Sequence, residues 1–220
     1  MFSNKFKRYL LNFGIFKWMQ SFKRFVCPVE ILGSNNNVVC ECKTSKRMDY
    51  HISVTGNNNV VKIAPSCQLY DLTIIISGDN NVLELDDEVK IQKGTIKVFG
   101  GATFHIGHNS TFQELDANVT KEDVVIGDDC LFSYGIVIRN YDGHKIIDST
   151  TNEICNPPGK ITLHDHVWVS QNVTILKDVE IGDNAIVGVG AVVTKSIPSN
   201  CIAAGVPAKV IKENRNWIRH

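Results

Sequence analysis

Cut every six residues, the stretch Leu163–Pro198 reads LHDHVW, VSQNVT, ILKDVE, IGDNAI, VGVGAV, VTKSIP. Every block opens with Leu, Val or Ile, and the fifth residue is Val, Val, Val, Ala, Ala, Ile in turn. A helix repeats every ~3.6 residues and a strand every ~2, so an apolar period of six belongs to neither alone. The period predicts a parallel β-helix built from hexapeptides, in which three sides make one turn. The opening aliphatic points into the prism, and the fifth residue is compact because it faces inward near a corner. The six blocks therefore predict two turns.

Upstream the rhythm stops. Between Ile138 and Leu163 lies RNYDGHKIIDSTTNEICNPPGKIT, rich in polar and turn-forming residues. A loop of that length inside a regular solenoid is commonly functional. Before it the spacing returns, with Ile126, Phe132 and Ile138 six apart. Further back stand three related pieces, GSNNNVV from Gly33, GNNNVVKI from Gly56 and GDNNVLEL from Gly78. They predict irregular, longer turns, each with a Gly-Asn corner, since Asn tolerates left-handed backbone and bonds its own chain. Asn59 and Asn81 are expected to stack along one edge, either as corner amides or as a binder of sugar hydroxyls. After Pro198 the chain ends in SNCIAAGVPAKVIKENRNWIRH, a last partial turn and a basic tail.

Residues 1–28 differ from the β-helix domain expected over 29–220. Phe2, Phe6, Tyr9, Phe13 and Phe16 form a stripe at helical spacing, flanked by cations. An amphipathic helix over residues 2–26 would either plug the open end of the prism or rest on the inner face of an anionic membrane. Formal charge is zero, with 23 basic and 23 acidic residues, yet residues 1–29 hold six cations and no acid. The balance gives no reason to expect a nucleic-acid partner. Seven cysteines in no disulfide-like spacing read as reduced thiols, which points to the cytoplasm, and Cys40-x-Cys42 is too close for a usual zinc pair. No eighteen-residue apolar run or secretory leader is apparent.

RNYDGH with its loop, HVWVSQNVTIL, VEIGDNAIVGVGAVVTKSIP and AAGVPAKVIKE together resemble the hexapeptide-repeat O-acetyltransferases of galactosides, maltose and capsular polysaccharide. The resemblance covers about residues 120–215. It implies an all-β, left-handed parallel β-helix and a homotrimer with active sites between prisms. It also implies acetyl transfer from acetyl-CoA to a carbohydrate hydroxyl. The family's catalytic histidine falls on His144, which takes the hydroxyl proton during attack on the thioester. Asp142 or Glu153 would orient it, and Asn140, Tyr141 and Trp168 would meet the acceptor. Trp168, Ser170, Gln171, Gly188 and Gly190 would line the pantetheine arm. Thr194, Lys195 and Ala203 would lie toward the adenine end, and Lys209 and Lys212 would meet the phosphates. One departure is Leu163-His164-Asp165-His166, which lacks the usual corner glycine. Its two histidines do not supply the three converging ligands of a metal site, so no metal is expected.

These features predict O-acetylation of a bacterial surface polysaccharide, capsule or O-antigen, or of its precursor. N-acetylation of an amino-sugar nucleotide is an alternative, although such relatives typically carry an extra nucleotide-binding domain. Antibiotic acetylation is another. An inert scaffold would leave the loop, His144 and the lysine tail unexplained.

Overall fold

The computed structural model describes residues 29–42 and 49–219. The expected helix over residues 2–26 lies outside the described residues. Within them the chain is a parallel β-helix of three faces and no α-helix. The first face stacks β1 (Val29–Leu32), β3 (Tyr50–Thr55), β6 (Leu72–Ser77), β9 (Gly94–Phe99), β12 (Leu115–Thr120), β15 (Ile136–Arg139), β18 (Thr174–Leu176) and β21 (Val192–Val193). The second stacks β2 (Asn37–Cys40), β4 (Val60–Ile63), β7 (Val82–Leu85), β10 (Thr103–Ile106), β13 (Val124–Ile126), β16 (Ile161–Leu163) and β19 (Val179–Ile181). The third holds β5 (Gln68–Leu69), β8 (Lys90–Ile91), β11 (Thr111–Phe112), β14 (Leu131–Phe132), β17 (Trp168–Val169), β20 (Ile186–Val187), β22 (Ile202–Ala204) and β23 (Lys209–Lys212). All neighbours pair in parallel except β22 with β23. The prism is of the left-handed hexapeptide type.

The six-residue period holds as expected: the first and fifth residue of every block from Leu163 to Ile197 are buried. The earlier turns are regular rather than irregular, but wider. Partners on the first face are 22 residues apart at Tyr50↔Leu72 and 21 at Leu115↔Ile136, against 18 at Thr174↔Val192. The extra length lies partly in strands β3, β6, β9 and β12, each of six residues where β18 has three. β6 buries three side chains, Leu72, Ile74 and Ile76, where β18 buries Ile175 alone. Wider turns thus enclose more core per layer, filled by Phe104 and by the stacked rings of Phe112 and Phe132, with centroids 4.2 Å apart.

The Gly-Asn corners form the expected ladder. Asn59 and Asn81 are fully buried. Asn59 Nδ2 donates to Asn36 Oδ1 at 3.0 Å, Asn81 Nδ2 donates to Asn59 Oδ1 at 2.9 Å, and the Gly101 N–H donates to Asn81 Oδ1 at 2.9 Å. Each amide supplies one donor and one acceptor to its neighbours, which satisfies polar groups inside the corner. These buried amides face inward, so they are corner amides and not a sugar-binding surface. Gly33 and Gly56 make the close stacking possible, because a Cβ on Gly33 would sit 1.8 Å from the Gly56 carbonyl oxygen.

Candidate functional site

The third face carries two parallel rows of outward side chains. The register Phe132↔Val169, Val169↔Val187 and Val187↔Ala203 places Ser133, Ser170, Gly188 and Ala204 in one file. Beside it run Leu131, Trp168, Ile186 and Ile202. Small side chains next to a wall of larger apolar ones form a shallow channel. Trp168 stands at its rim, 38% exposed. Gly188 keeps the floor low, since a Cβ there would lie 2.9 Å from Ala204 Cβ. Gly190 has a different role: its φ of +68° demands glycine, and an added Cβ would meet nothing within 4 Å. Gln171 lies at the adjoining corner, exposed, with its carbonyl bonded to the Gly190 N–H.

β23 ends both files. Lys209 pairs with Ala204 and Lys212 with Ile202, so the expected phosphate-binding cations stand in register with the channel. Ala203 does not belong to its surface. Its methyl is buried in the core, because residues alternate along a strand, and Ala204 is the outward neighbour. Thr194 and Lys195 lie elsewhere. The register Ile175↔Val193 continues to put them beside Leu176 and Lys177, on the edge between the first and second faces.

The long loop leaves from that same edge, between β15 and β16. It is not structureless: Ile147 and Ile154 bridge in antiparallel fashion, Cys155 N donates to Ile146 O at 2.9 Å, and the Asp148 carboxylate caps Thr150 and Thr151. A polar staple pins its base. Lys177 Nζ donates to Asp142 Oδ2 at 2.6 Å and to the Pro157 carbonyl at 3.0 Å. Asn156 Nδ2 donates to Asp142 at 2.8 Å and to the His144 carbonyl at 2.8 Å, and its Oδ1 accepts from Ile146 N–H at 2.6 Å. The Lys177 ammonium, then the Asn156 amide, hold the Asp142 carboxyl below the usual carboxylate range.

His144 is exposed on this loop. Among the described residues no hydrogen bond joins its ring to Asp142 or Glu153. Asp142 spends its charge on Lys177 and Asn156, and so shapes the loop rather than orienting the imidazole. Glu153 is exposed and contributes its carbonyl to Asp148 N–H at 2.9 Å. Asn140 corrects the expectation that it meets an acceptor. It is fully buried, accepts from Thr120 N–H at 2.8 Å and donates to the Thr120 and Glu122 carbonyls, anchoring the loop's entry. Tyr141 is half-buried beside it. Within one chain, then, His144 stands at one edge of the prism and the channel occupies the opposite face.

The sequence reading missed a clasp made by the last residues. The tail turns back along the corner beside the third face, where Trp217 is buried. Trp217 stacks on His166 with centroids 4.0 Å apart and an interplanar angle of 6°, and its indole N–H donates to the His166 carbonyl at 2.8 Å. His166 Nδ1 lies 2.7 Å from Asp129 Oδ2, and Arg219 reaches Asp129 Oδ1 at 3.1 Å and the Asn109 carbonyl at 3.2 Å. Trp168 tilts against Trp217 at 6.1 Å, so the clasp buttresses the channel rim. A lone Trp in a polar tail was the available signal. His164 instead bonds Glu180 at 2.6 Å, so the two histidines have separate partners, and among the described residues no group of three ligands could hold a metal.

Residues 160–195 match the bacterial transferase hexapeptide family of six repeats. A crystal structure of the polySia-specific acetyltransferase NeuO superposes with a TM-score of 0.82 at 35% identity, covering 87% of this chain and 88% of that one. The chain belongs to the hexapeptide-repeat O-acetyltransferases. A second member, the polysialic acid O-acetyltransferase OatWY, matches with a TM-score of 0.77 at 32% identity over 87% of this chain and 92% of that one. Among curated members, the polysialic acid O-acetyltransferase of Escherichia coli O1:K1 is 37% identical over 58% of this chain, and the galactoside O-acetyltransferase of Escherichia coli K12 is 35% identical over 54%. The aligned part of the chain spans 42% and 59% of the length of these two curated proteins.

Proposed function

We propose that this hexapeptide-repeat protein transfers the acetyl group of acetyl-CoA to a hydroxyl of a bacterial surface polysaccharide, in a homotrimer. The observation that carries the proposal is the division of the site. The loop bearing His144 and the lysine-ended channel lie on different sides of one prism, so a complete site needs two copies. A neighbour's channel takes the pantetheine arm along Ser170, Gly188 and Ala204, under Trp168. Lys209 and Lys212 neutralise phosphate at the open end. The His144 imidazole takes the hydroxyl proton as the sugar oxygen bonds to the thioester carbonyl carbon. The tetrahedral adduct then collapses, the carbon–sulfur bond breaks, and the proton passes to the departing thiolate. Tyr141, three residues before His144 in the loop, is the side chain proposed to meet the acceptor.

The acceptor class rests on the two relatives matched over most of their length, both named for polysialic acid. The cationic segment of residues 1–29 suits a substrate assembled at the inner face of an anionic membrane. Among the described residues no helix is long and apolar enough to cross one.

The test is release of free thiol from acetyl-CoA on addition of purified capsular or O-antigen glycans. His144→Ala is expected to lose at least ~100-fold in rate. A full rate in that variant, or no thiol release with any glycan, overturns the proposal. Light scattering that returned a monomer with full activity would refute the two-copy site.

A further inference from the structure

Three groups of unusual chemistry lie together at the opposite end of the prism from the lysine tail: Cys40 at the end of β2, Cys42 just beyond it, and Tyr50 at the start of β3. Cys40 and Cys42 are two residues apart on near-extended chain, which turns both side chains to the same side. Their sulfur atoms are 3.2 Å apart, and the Tyr50 hydroxyl lies 3.3 Å from Cys40 Sγ. Cys42 and Tyr50 are buried, whereas Cys40 is half-exposed.

We infer that Cys40 and Cys42 form a thiol–disulfide exchange site, with Cys40 as the attacking thiol and Cys42 as the resolving one, for small oxidised thiols such as glutathione disulfide. The geometry divides the labour. The outer sulfur meets solvent and faces two donors, the Cys42 S–H and the Tyr50 O–H, which stabilise a thiolate. Those bonds hold the Cys40 thiol down at about 6, the Cys42 bond being the larger contributor. Cys42 is pushed the opposite way, because it gives its hydrogen to Cys40 and is buried. The other described thiols lack this combination. Burial raises Cys67 to about 11 and Cys130 to about 12 and removes both from solvent, Cys201 is buried, and Cys155 is exposed without a second sulfur beside it.

The chemistry balances in two exchanges. The Cys40 thiolate attacks one sulfur of the small disulfide, forming a mixed disulfide and expelling a thiolate. Cys42 then loses its proton and attacks Cys40 Sγ, closing the intramolecular bond and releasing the second small thiol. The protein loses two hydrogens and one glutathione disulfide becomes two glutathiones. A disulfide between residues two apart closes a small ring, so a reduced thiol pool reopens it readily.

The full chain is incubated with glutathione disulfide, alkylated, and cleaved after Lys, Arg and Glu. Cleavage after Glu30, Glu41 and Lys43 puts Cys40 in fragment 31–41 and Cys42 in fragment 42–43, and neither contains Cys27. The two fragments are expected to stay joined, two hydrogens lighter than their sum and resistant to alkylation, and dithiothreitol should separate them. Cys42→Ser should accumulate glutathione on Cys40, Cys40→Ser should take up none at Cys42, and Tyr50→Phe should slow the first exchange near neutral pH. Recovery of fragments 31–41 and 42–43 apart and both alkylated, or glutathione found on Cys155 alone, overturns the inference. Because this readout needs no acetyl transfer, its failure is distinct from failure of the proposed activity.

Discussion

Asn156 is the residue on which the loop geometry most depends, and replacing it with Ala tests the role of that geometry. The substitution removes three bonds: to the Asp142 carboxylate, to the His144 carbonyl and from the Ile146 N–H. An average bond contributes about 0.5–1.5 kcal/mol net, and one of these is charge-assisted. The site is exposed, so the three together contribute about 2–3 kcal/mol, or roughly 30- to 150-fold in the ordering of the loop. The Lys177 bonds and the Ile147–Ile154 bridge remain, which lowers the expected fall in kcat/KM to about 10- to 50-fold. Thermal unfolding should move by less than ~2 °C, because Ile146, Ile147 and Ile154 are exposed and contribute nothing to the core. The loss should be equal at about pH 5.5 and pH 8. Asp142 has a lowered carboxyl pKa when folded, so its contribution is complete above the ordinary carboxylate range and disappears only as pH falls through the lowered value. Initial rates of thiol release with differential scanning calorimetry decide the matter. Activity within twofold of the parent would refute the reasoning, as would a thermal shift typical of a core mutation.

Other expectations follow from separate parts of the prism. Gly188→Val fills the channel floor and should raise KM for acetyl-CoA by about 10- to 100-fold, whereas Gly190→Ala should cost about 1 kcal/mol of stability with KM unchanged. Calorimetric titration with CoA separates the two. In the amide ladder, Asn59→Ala strands the Asn81 N–H and the Gly78 carbonyl and should cost about 2–4 kcal/mol, while Asn36→Ala, at the ladder's exposed end, should cost about 1 kcal/mol. Denaturant unfolding giving equal losses would refute the ladder's burial gradient. Trp217→Ala frees the tail and uncovers one side of Trp168, so carboxypeptidase should shorten the variant about tenfold faster and KM for acetyl-CoA should rise severalfold.

The parts of this fold that were legible in the sequence are those where one residue decides its own environment. Ile175 or Ala185 must face inward in any register of the six-residue pattern, and the Gly-Asn corners announce left-handed backbone directly. Asn140 and Ala203 were misread because their chemistry is decided by which face they take. Asn140 looks like a loop residue and Ala203 like part of an exposed motif, but strand alternation carries both inside. The clasp was illegible for another reason. Trp217, His166, Asp129 and Arg219 are up to 90 residues apart in sequence, and no local spacing brings them together. The Lys177–Asp142–Asn156 staple is similar, since the loop that it closes hides a pairing across 35 residues.

The change in turn length along the prism divides the chain into parts of unequal tolerance to change. In a stack of layers each turn touches only its neighbours, so a layer can be gained or lost wherever the layers above and below match it in width. The segment from Gly56 to Ser77 is 22 residues long and is followed by one of the same register length. Duplicating it would lengthen the prism by one strand spacing, about 4.8 Å, and leave every residue of the channel where it is. The narrow half offers no such freedom. A layer added between Ser170 and Gly188 would push the lysines away from Trp168 by that same step. Length is therefore adjustable at one end of this molecule and constrained at the other, and the wide repeats are where insertions are expected to accumulate.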